Sequence, residues 1–263
     1  MAETRQGLRD RLGDDLAMAL RFFSRLPTGP AEHRAPDLNR MAGGLGFASV
    51  LIGAGPAVLL AALAFLGLPP LVAAGFAVGA SALVTGAMSE DALADAFDGL
   101  FGGATADRRL EIMKDSRHGT YGVLALVLAV LIRVAGLASV VAVNPLAGAA
   151  LLIATGVLAR SAGLWMAVAL PAARTGGASA TAGRLGARPF WVGMGLSAVI
   201  GFALAAPFTS VLAFGLAAAA AAGVATLWVL LCRRLVGGQT GDLIGALIGL
   251  IELATLTVFL AFH

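Results

Sequence analysis

Residues 42–89 read AGGLGFASVLIGAGPAVLLAALAFLGLPPLVAAGFAVGASALVTGAMS and contain no charged side chain. This stretch decides the fold, because about 20 consecutive apolar residues are enough to cross a bilayer as a helix. Its length allows two crossings, and Gly and Pro at 67–70 interrupt it as a turn would. The pattern therefore predicts two membrane-spanning helices, 43–66 and 70–88.

The composition extends this prediction to the whole chain. Of the 263 residues, 59% are hydrophobic and 13% are charged, whereas soluble domains carry about 25% charged residues. We expect a single all-α integral-membrane domain over 1–263, a polytopic helical bundle of about seven spans. The other five predicted spans are 121–143, 146–170, 190–206, 208–231 and 243–262. The span 190–206 is short, and its merger with the next one is an alternative.

The distribution of Lys and Arg predicts the orientation of the bundle. These residues occur in 1–40, 89–120, 171–189 and 232–242, whereas the alternate connections carry none. By the positive-inside rule, the four basic segments face the cytoplasm. Because its basic residues border membrane spans, the net charge of +3 reports topology, and we expect no nucleic-acid partner. Gly- and Ala-rich helix faces would allow self-association into a homo-oligomer.

The N-terminal segment predicts an amphipathic helix, because its apolar residues share one helical stripe. These residues are Leu8, Leu12, Leu16, Leu20 and Phe23. Such a helix can lie along the cytoplasmic membrane interface in contact with lipid. It can equally dock on the bundle, and the sequence leaves both alternatives open.

The most informative segment for function follows the first two predicted spans. Residues 90–122 read EDALADAFDGLFGGATADRRLEIMKDSRHGTYG, and we expect them in a cytoplasmic acidic-basic catalytic segment, 89–120. Asp91, Asp95 and Asp98 have the spacing i, i+4, i+7, which places them on one face of a helix. Neighbouring carboxylates repel one another, and a bound cation relieves the repulsion. Oxygen-only ligands suit Mg²⁺, which takes its remaining ligands from water and substrate phosphates.

Basic side chains in the same segment predict a phosphate-binding function. Thr105 is a suitable cap for a short helix that ends near Lys114. Carboxylates that hold a metal, together with cations that hold phosphate oxygens, are typical of phosphoryl transfer. The basic residues are Arg108, Arg109, Lys114 and Arg117. A structural network of salt bridges is the alternative.

Charged residues inside predicted spans are a second class of candidate. Arg133, Arg160 and Glu252 fall within apolar helices, where charged side chains usually face a cavity or a partner. Either arginine could pair with Glu252, or both could hold an anionic substrate. In the last polar segment, Thr240 and Asp242 can cap the final helix, and Asp242 could also complete the metal site.

Three of these runs resemble the integral-membrane cobalamin synthases, the adenosylcobinamide-GDP ribazoletransferases. They are DALADAFDGLFGG at 91–103, RRLEIMKDSRHGTYG at 108–122 and GGQTGDLIGA at 237–246. The family pattern usually runs His-Glu-Asp-Gly-Leu-Ala-Asp, and this chain has Ser89 and Ala92 in place of the His and the first Gly. His118 stands where the family commonly has an aliphatic residue.

The resemblance implies a late step of cobalamin biosynthesis in the inner membrane of a bacterium. Adenosylcobinamide-GDP and α-ribazole, or its 5′-phosphate, would give adenosylcobalamin or its 5′-phosphate and GMP, with Mg²⁺ as cofactor. On this basis we expect Asp91, Asp95 and Asp98 to hold Mg²⁺, and Glu90 or Asp115 to accept the hydroxyl proton. The substrate-binding candidates are Arg109, Lys114, Ser116, Arg117, Arg133, Arg160, Thr240 and Asp242.

Two other classes of protein compete with this interpretation. A CDP-alcohol phosphotransferase expects DG-x-x-AR directly after its first aspartate pair, whereas Asp91 is followed by Ala-Leu-Ala. A prenyltransferase would show a second aspartate-rich motif. A small transporter would use Arg133, Arg160 and Glu252 as its path and would show an internal repeat, which is not visible in the sequence.

Overall fold

The computed structural model describes residues 2–29, 35–115, 117–174 and 183–262, with side chains from residue 13 onward. Within these ranges the chain forms α-helices and no β-strand, which confirms the all-α prediction. The helices are α1 (Ala2–Phe23), α2 (Leu38–Phe65), α3 (Pro70–Thr85), α4 (Met88–Gly102), α5 (Ala106–Ile112), α6 (Thr120–Val143), α7 (Pro145–Gly163), α8 (Trp165–Ala169), α9 (Ala187–Ala205), α10 (Val211–Val236) and α11 (Gly241–Leu260).

Six helical segments of the described chain are long and apolar enough to cross a membrane. They are α2, α6, α7 continued by α8, α9, α10 and α11. The consecutive helices α3 and α4 pass the same test only as a pair, and they would make a seventh, broken crossing. The predicted count of about seven is therefore confirmed. Because α9 and α10 are separate helices, the alternative in which they merge is wrong.

The helix boundaries follow the Pro and Asn signals of the sequence. Asn144 ends α6 and caps α7, because its side-chain oxygen accepts hydrogen bonds from the N–H groups of Leu146 and Ala147. Pro145 is then the first residue of α7, where the absence of an N–H group costs no hydrogen bond. Ser210 caps α10 in the same way by accepting from the N–H of Ala213.

The described part of α1 packs against the bundle. Ala19 and Phe23 are buried in the main hydrophobic core, and Leu16 and Leu20 lie against it. Asp15 pairs with Arg40 at the start of α2. The docking alternative therefore describes this half of α1, whereas Leu8 and Leu12 lie outside the described side chains.

The basic segments of the sequence meet at one end of the bundle, which we call the polar end. Asn39, at the start of α2, donates to the carbonyl of Arg184 and accepts from the N–H of Gly186, just before α9. Ala173 and Gln239 join the segments that follow α8 and precede α11 through a backbone hydrogen bond of 2.8 Å. The contacts confirm that these segments share one side of the molecule.

The helices α3 and α4 are bent by 87° relative to each other, as in a broken span or a re-entrant loop. Gly86 ends α3 with a φ of 69° and Ala87 follows with a φ of 56°, which is unusual for a residue other than glycine. A Cβ at Gly86 would also meet the Arg25 side chain at 2.4 Å. The predicted span 70–88 is therefore corrected: α3 ends at Thr85, and the acidic residues lie on a second helix of the same crossing.

The acidic helix α4 is inserted into the bundle rather than exposed as a loop. Leu93, Ala96 and Leu100 are buried in the main core, and the helix packs chiefly against α11 and α6. Gly245 on α11 leaves room for Ala92, because a Cβ at Gly245 would approach the Ala92 methyl to 2.5 Å. Small residues allow such close helix contacts in membranes.

The close contact between α2 and α9 gives a testable prediction about packing. A Cβ at Gly193 would lie 2.1 Å from the carbonyl oxygen of Ala42, whereas one at Gly195 meets nothing within 4 Å. We expect Gly193→Ala to separate the two helices and to destabilise the protein by about 1–3 kcal/mol, as overpacking does. Thermal unfolding in detergent measures this as a lower Tm.

Gly195→Ala is the matched control on the same helix, and its Tm should stay equal or rise, because Ala favours a helix over Gly by about 1 kcal/mol. Equal unfolding temperatures for the two variants would contradict the packing of α2 against α9.

Candidate active site

A group of carboxylates lies at the polar end, where α4 and α11 approach each other. Asp91 is exposed, the Asp95 side chain is 17% exposed and the Asp242 side chain is 30% exposed. Among charged groups, Asp91 and Asp242 have the largest electrostatic effect on Asp95. Asp91, Asp95 and Asp242 therefore interact electrostatically across α4 and α11, although no three acidic, His or Cys side chains of the described residues lie close enough together to hold a metal ion.

Asp98, the third carboxylate of the predicted stripe, is buried and satisfied by backbone groups. Its two oxygens accept hydrogen bonds of 2.6 Å from the N–H of Gly119 and 2.8 Å from the N–H of Gly122. A Cβ at either glycine would lie 2.5 Å or less from an Asp98 oxygen. Because these N–H groups belong to the first turn of α6, Asp98 caps that helix and fixes the end of α4 against it.

His118 is a residue of this site that the sequence argument set aside. Its Nδ1 atom lies 4.0 Å from an Asp95 oxygen. The segment between α5 and α6 brings it there, because Asp98 binds the next residue, Gly119. Only its position beside the GTYG motif pointed to it, since the three histidines of the chain show no metal-ligand spacing.

The basic residues of the segment divide into three environments. Arg109 donates to the carbonyl oxygens of Leu100 and Leu235, so it joins the ends of α4 and α10. Lys114 is exposed, and its side chain makes no hydrogen bond or ion pair in the described part of the chain. Arg108 pairs with Glu111 at the surface, where such pairs contribute little to stability.

Arg117 and Asp115 form an exposed ion pair before α6. The guanidinium donates from Nε and from Nη2 to the carboxylate, with the shorter bond at 2.6 Å. The hydrogen bonds from Arg117 lower the pKa of Asp115 to about 2, and the same bonds raise the pKa of Arg117. Asp115 is therefore ionised at neutral pH and is a weak proton acceptor. Ser116, between them in sequence, lies outside the described residues.

Asp242 has a cationic partner, Arg174, that was not among the predicted site residues. Arg174 donates to an Asp242 oxygen at 2.9 Å from the segment that follows α8. Thr240 caps α11 by accepting from the N–H of Leu243 at 3.2 Å, as the sequence predicted. The presence of Arg174 in the basic segment 171–189 was the available signal, but its partner depends on the fold.

Of the charged residues inside the spans, Arg133 and Glu252 pair with each other. Arg133 contacts Glu90 through one guanidinium nitrogen and Glu252 through another, each at 2.5 Å. Arg160 lines a cavity next to them. The predicted alternative in which an arginine pairs with Glu252 thus describes Arg133. Through this pair, the Glu90 side chain points into the bundle. Its predicted role as a proton acceptor would require a side chain that faces the substrates.

Together these contacts define an all-helical membrane protein with a carboxylate site at the polar end of its bundle. Comparison with known proteins then identifies its family: the model for cobalamin-5-phosphate synthase matches residues 15–260. The chain belongs to this family. It is a membrane transferase of cobalamin biosynthesis. The family therefore excludes the two alternatives of a CDP-alcohol phosphotransferase and a small transporter.

Curated relatives agree with the family model over nearly the whole chain. A protein of Azorhizobium caulinodans named adenosylcobinamide-GDP ribazoletransferase is 46% identical over 255 residues, which cover 94% of this chain and 95% of the relative. Proteins with the same name from Rhizobium etli and Xanthobacter autotrophicus are each 43% identical, over 251 and 248 residues. These cover 92% and 90% of this chain, and 94% and 92% of the respective relatives. No solved structure matches the chain.

The contacts of Asp98 predict that this residue stabilises the fold. In Asp98→Asn, only one side-chain oxygen remains to accept from two backbone N–H groups, so one buried donor loses its partner. We expect a loss of about 1–3 kcal/mol, measured as a lower Tm in detergent.

Asp91→Asn removes an equal charge from an exposed position of the same helix and serves as the control. Its Tm should stay within about 2 °C of the parent, since surface substitutions usually change stability by less than about 0.5 kcal/mol. An Asp98→Asn variant as stable as Asp91→Asn would contradict the capping role.

Proposed function

We propose that the protein joins adenosylcobinamide-GDP to α-ribazole, or to α-ribazole 5′-phosphate. A ribose hydroxyl oxygen attacks the phosphorus that carries the cobinamide arm. A new P–O bond forms, the P–O bond to GMP breaks, and the hydroxyl proton is released. The observation that supports this function is the presence of three carboxylate side chains, those of Asp91, Asp95 and Asp242, at the polar end of the bundle. The family to which the chain belongs supports it as well.

The chemistry of this donor set fits Mg²⁺. Asp91, Asp95 and Asp242 offer only oxygen ligands, which Mg²⁺ prefers, and their mutual repulsion is relieved by a cation. Within the described residues, no three acidic, His or Cys side chains converge closely enough to enclose a metal. In the proposed complex, water and substrate phosphates would have to supply the further ligands of the Mg²⁺ ion.

Asp91 and Asp95 would hold the metal, with Asp242 facing them from α11. Bound Mg²⁺ would neutralise the diphosphate and stabilise the negative charge that develops as GMP leaves. Asp98 would support the site indirectly by holding α4 against α6, because both of its oxygens accept backbone hydrogen bonds from the start of α6.

The cations around this group would bind the anionic substrates. Lys114 is exposed without a partner in the described chain, so it is available to a phosphate. Arg117 projects into solvent from its pair with Asp115, and Arg174 stands beside Asp242. Arg–phosphate bonds are short and directional, so these residues would orient the diphosphate between the carboxylates and the solvent.

The distribution of basic residues supports an orientation in which this end faces the cytoplasm of a bacterial cell, with the bundle in its inner membrane. The GDP-linked substrate would then reach the site from the compartment in which nucleotides are made. The corrinoid, the ribazole and the surrounding lipid are the partners that this function requires.

Removal of the Asp95 charge tests the proposed function. We expect Asp95→Asn in reconstituted protein to reduce Mg²⁺-dependent GMP release roughly 100-fold or more, since loss of outer-shell groups alone costs a metal site about 10–100-fold. The assay follows GMP and corrinoid product formed from adenosylcobinamide-GDP, α-ribazole and Mg²⁺.

Asp107→Asn is the matched control, because Asp107 is an exposed carboxylate of α5 in the same segment. Its rate should equal that of the parent. Full Mg²⁺-dependent activity in Asp95→Asn would refute the proposed metal site.

A further inference from the structure

Four ionisable side chains meet in the interior of the bundle, on the inner side of the carboxylate site. With a helical rise of about 1.5 Å per residue, Arg133 lies about 20 Å from the start of α6. Glu252 lies about 16 Å from the start of α11 by the same measure. Glu90, at the start of α4, and Arg160 of α7 complete the group, and all four side chains line one cavity.

The four charges compensate one another. Arg133 bridges Glu90 of α4 and Glu252 of α11, and its side chain is 9% exposed. The Arg160 side chain makes no hydrogen bond or ion pair within the described residues, and its charge is attracted by those of Glu252 and Glu90 and repelled by that of Arg133. Two arginines and two glutamates give no net charge, so the group needs no anionic substrate to balance it.

The cavity beside these residues is too small for such a substrate. It has a volume of about 30 Å³ and is lined by Ser81, Ser89, Arg160 and Glu252 among others. A buried water molecule needs about 10–15 Å³ of such a cavity. The cavity therefore has room for about two water molecules, and a nucleotide does not fit. One Glu90 oxygen and the Arg133 Nε atom have no partner in the described chain, and water in the cavity would satisfy buried groups of this kind.

The bend between α3 and α4 gives this group a consequence for the site. The axes of α3 and α4 differ by 87°, so α4 does not continue the line of α3. Other contacts must therefore hold α4 in its position. Glu90, in the first turn of α4, is held by Arg133, and Asp98, near its other end, is held by α6. Asp91 and Asp95 lie between these two attachments.

We propose that the pair of Arg133 with Glu90 and Glu252 is a buried anchor that positions the acidic helix, so that Arg133 is a positioning residue for the carboxylate site. This inference rests on the proposed function only in that the site holds Mg²⁺. Without the anchor, the start of α4 carries an unpaired carboxylate in an apolar environment and moves toward water. Asp91 and Asp95 then leave the position in which they face Asp242.

The first test compares Arg133→Gln, Arg133→Lys and Glu252→Gln with the parent in reconstituted membranes. We expect Arg133→Gln to raise the Mg²⁺ concentration for half-maximal GMP release at least 10-fold and to change the KM for α-ribazole less than 3-fold. Arg133→Lys should recover part of this loss because it retains a cation. A rise in the KM for adenosylcobinamide-GDP without a change in Mg²⁺ dependence would indicate a substrate contact and overturn the inference.

The second test reports the position of α4 without an activity measurement. Ala94, between the two attachments, is 1% exposed, and the native Cys232 is 0% exposed. With Cys232 replaced by Ser, a single cysteine introduced as Ala94→Cys should react slowly with a membrane-permeant maleimide. We expect Arg133→Gln to speed this labelling at least 10-fold, whereas in a chain that retains only Cys232 the same substitution should leave labelling slow.

These outcomes separate the anchor from the proposed function. If both cysteines become reactive in Arg133→Gln, the bundle has unfolded, and Arg133→Lys and Glu252→Gln then decide by the same labelling. Unchanged labelling of Ala94→Cys in all three variants overturns the inference. If the parent releases no GMP, the proposed function fails, but the labelling experiment still tests the anchor.

Discussion

A carboxylate-bearing helix that enters an apolar bundle requires a partner for every polar group that it removes from water. In this protein the requirement falls on α4, and two contacts meet most of it, since one Glu90 oxygen has no partner among the described residues. Arg133 binds Glu90 in the interior, and the N–H groups of Gly119 and Gly122 bind Asp98 near the polar end. The proposed site depends on these contacts, because they would keep Asp91 and Asp95 in the position that faces Asp242.

Small residues make this insertion possible. A Cβ at Gly99 would meet Met113 at 2.4 Å, and one at Gly122 would meet Asp98 at 2.3 Å. At each position a larger residue would move α4 away from its neighbour. Ala92 departs from the usual family pattern, and the missing side chain of Gly245 opposite provides the space for it. The departure is thus accommodated within the helix interface and leaves the carboxylates in place.

The charged residues of the chain have two separate tasks. Those in the interior neutralise one another around Arg133, in a cavity that admits only water. Those at the polar end remain accessible to solvent, as Lys114 and Asp91 do. In the proposed function, the arginines inside the spans would support the site, and residues of the polar segments would bind the substrates.

The sequence alone determined the fold class, the number of crossings and the segments that meet at the polar end. The length of each apolar run and the positions of Lys, Arg, Pro and Gly are local properties of the sequence. They predict which segments insert into a bilayer and in which orientation. The motifs at 91–103, 108–122 and 237–246 also sufficed for the family resemblance, and the spacing of Asp91 and Asp95 correctly placed them on one helix face.

Only the tertiary structure decided which charged groups are partners. The sequence gives no distance between Arg133 and Glu90, between Arg174 and Asp242, or between Asp98 and the first turn of α6. It also showed no sign that the span at 70–88 breaks at Gly86 and continues as the acidic helix. A hydrogen bond or ion pair forms only when two segments pack at the correct depth and angle, and that depends on the shapes of all the helices between them.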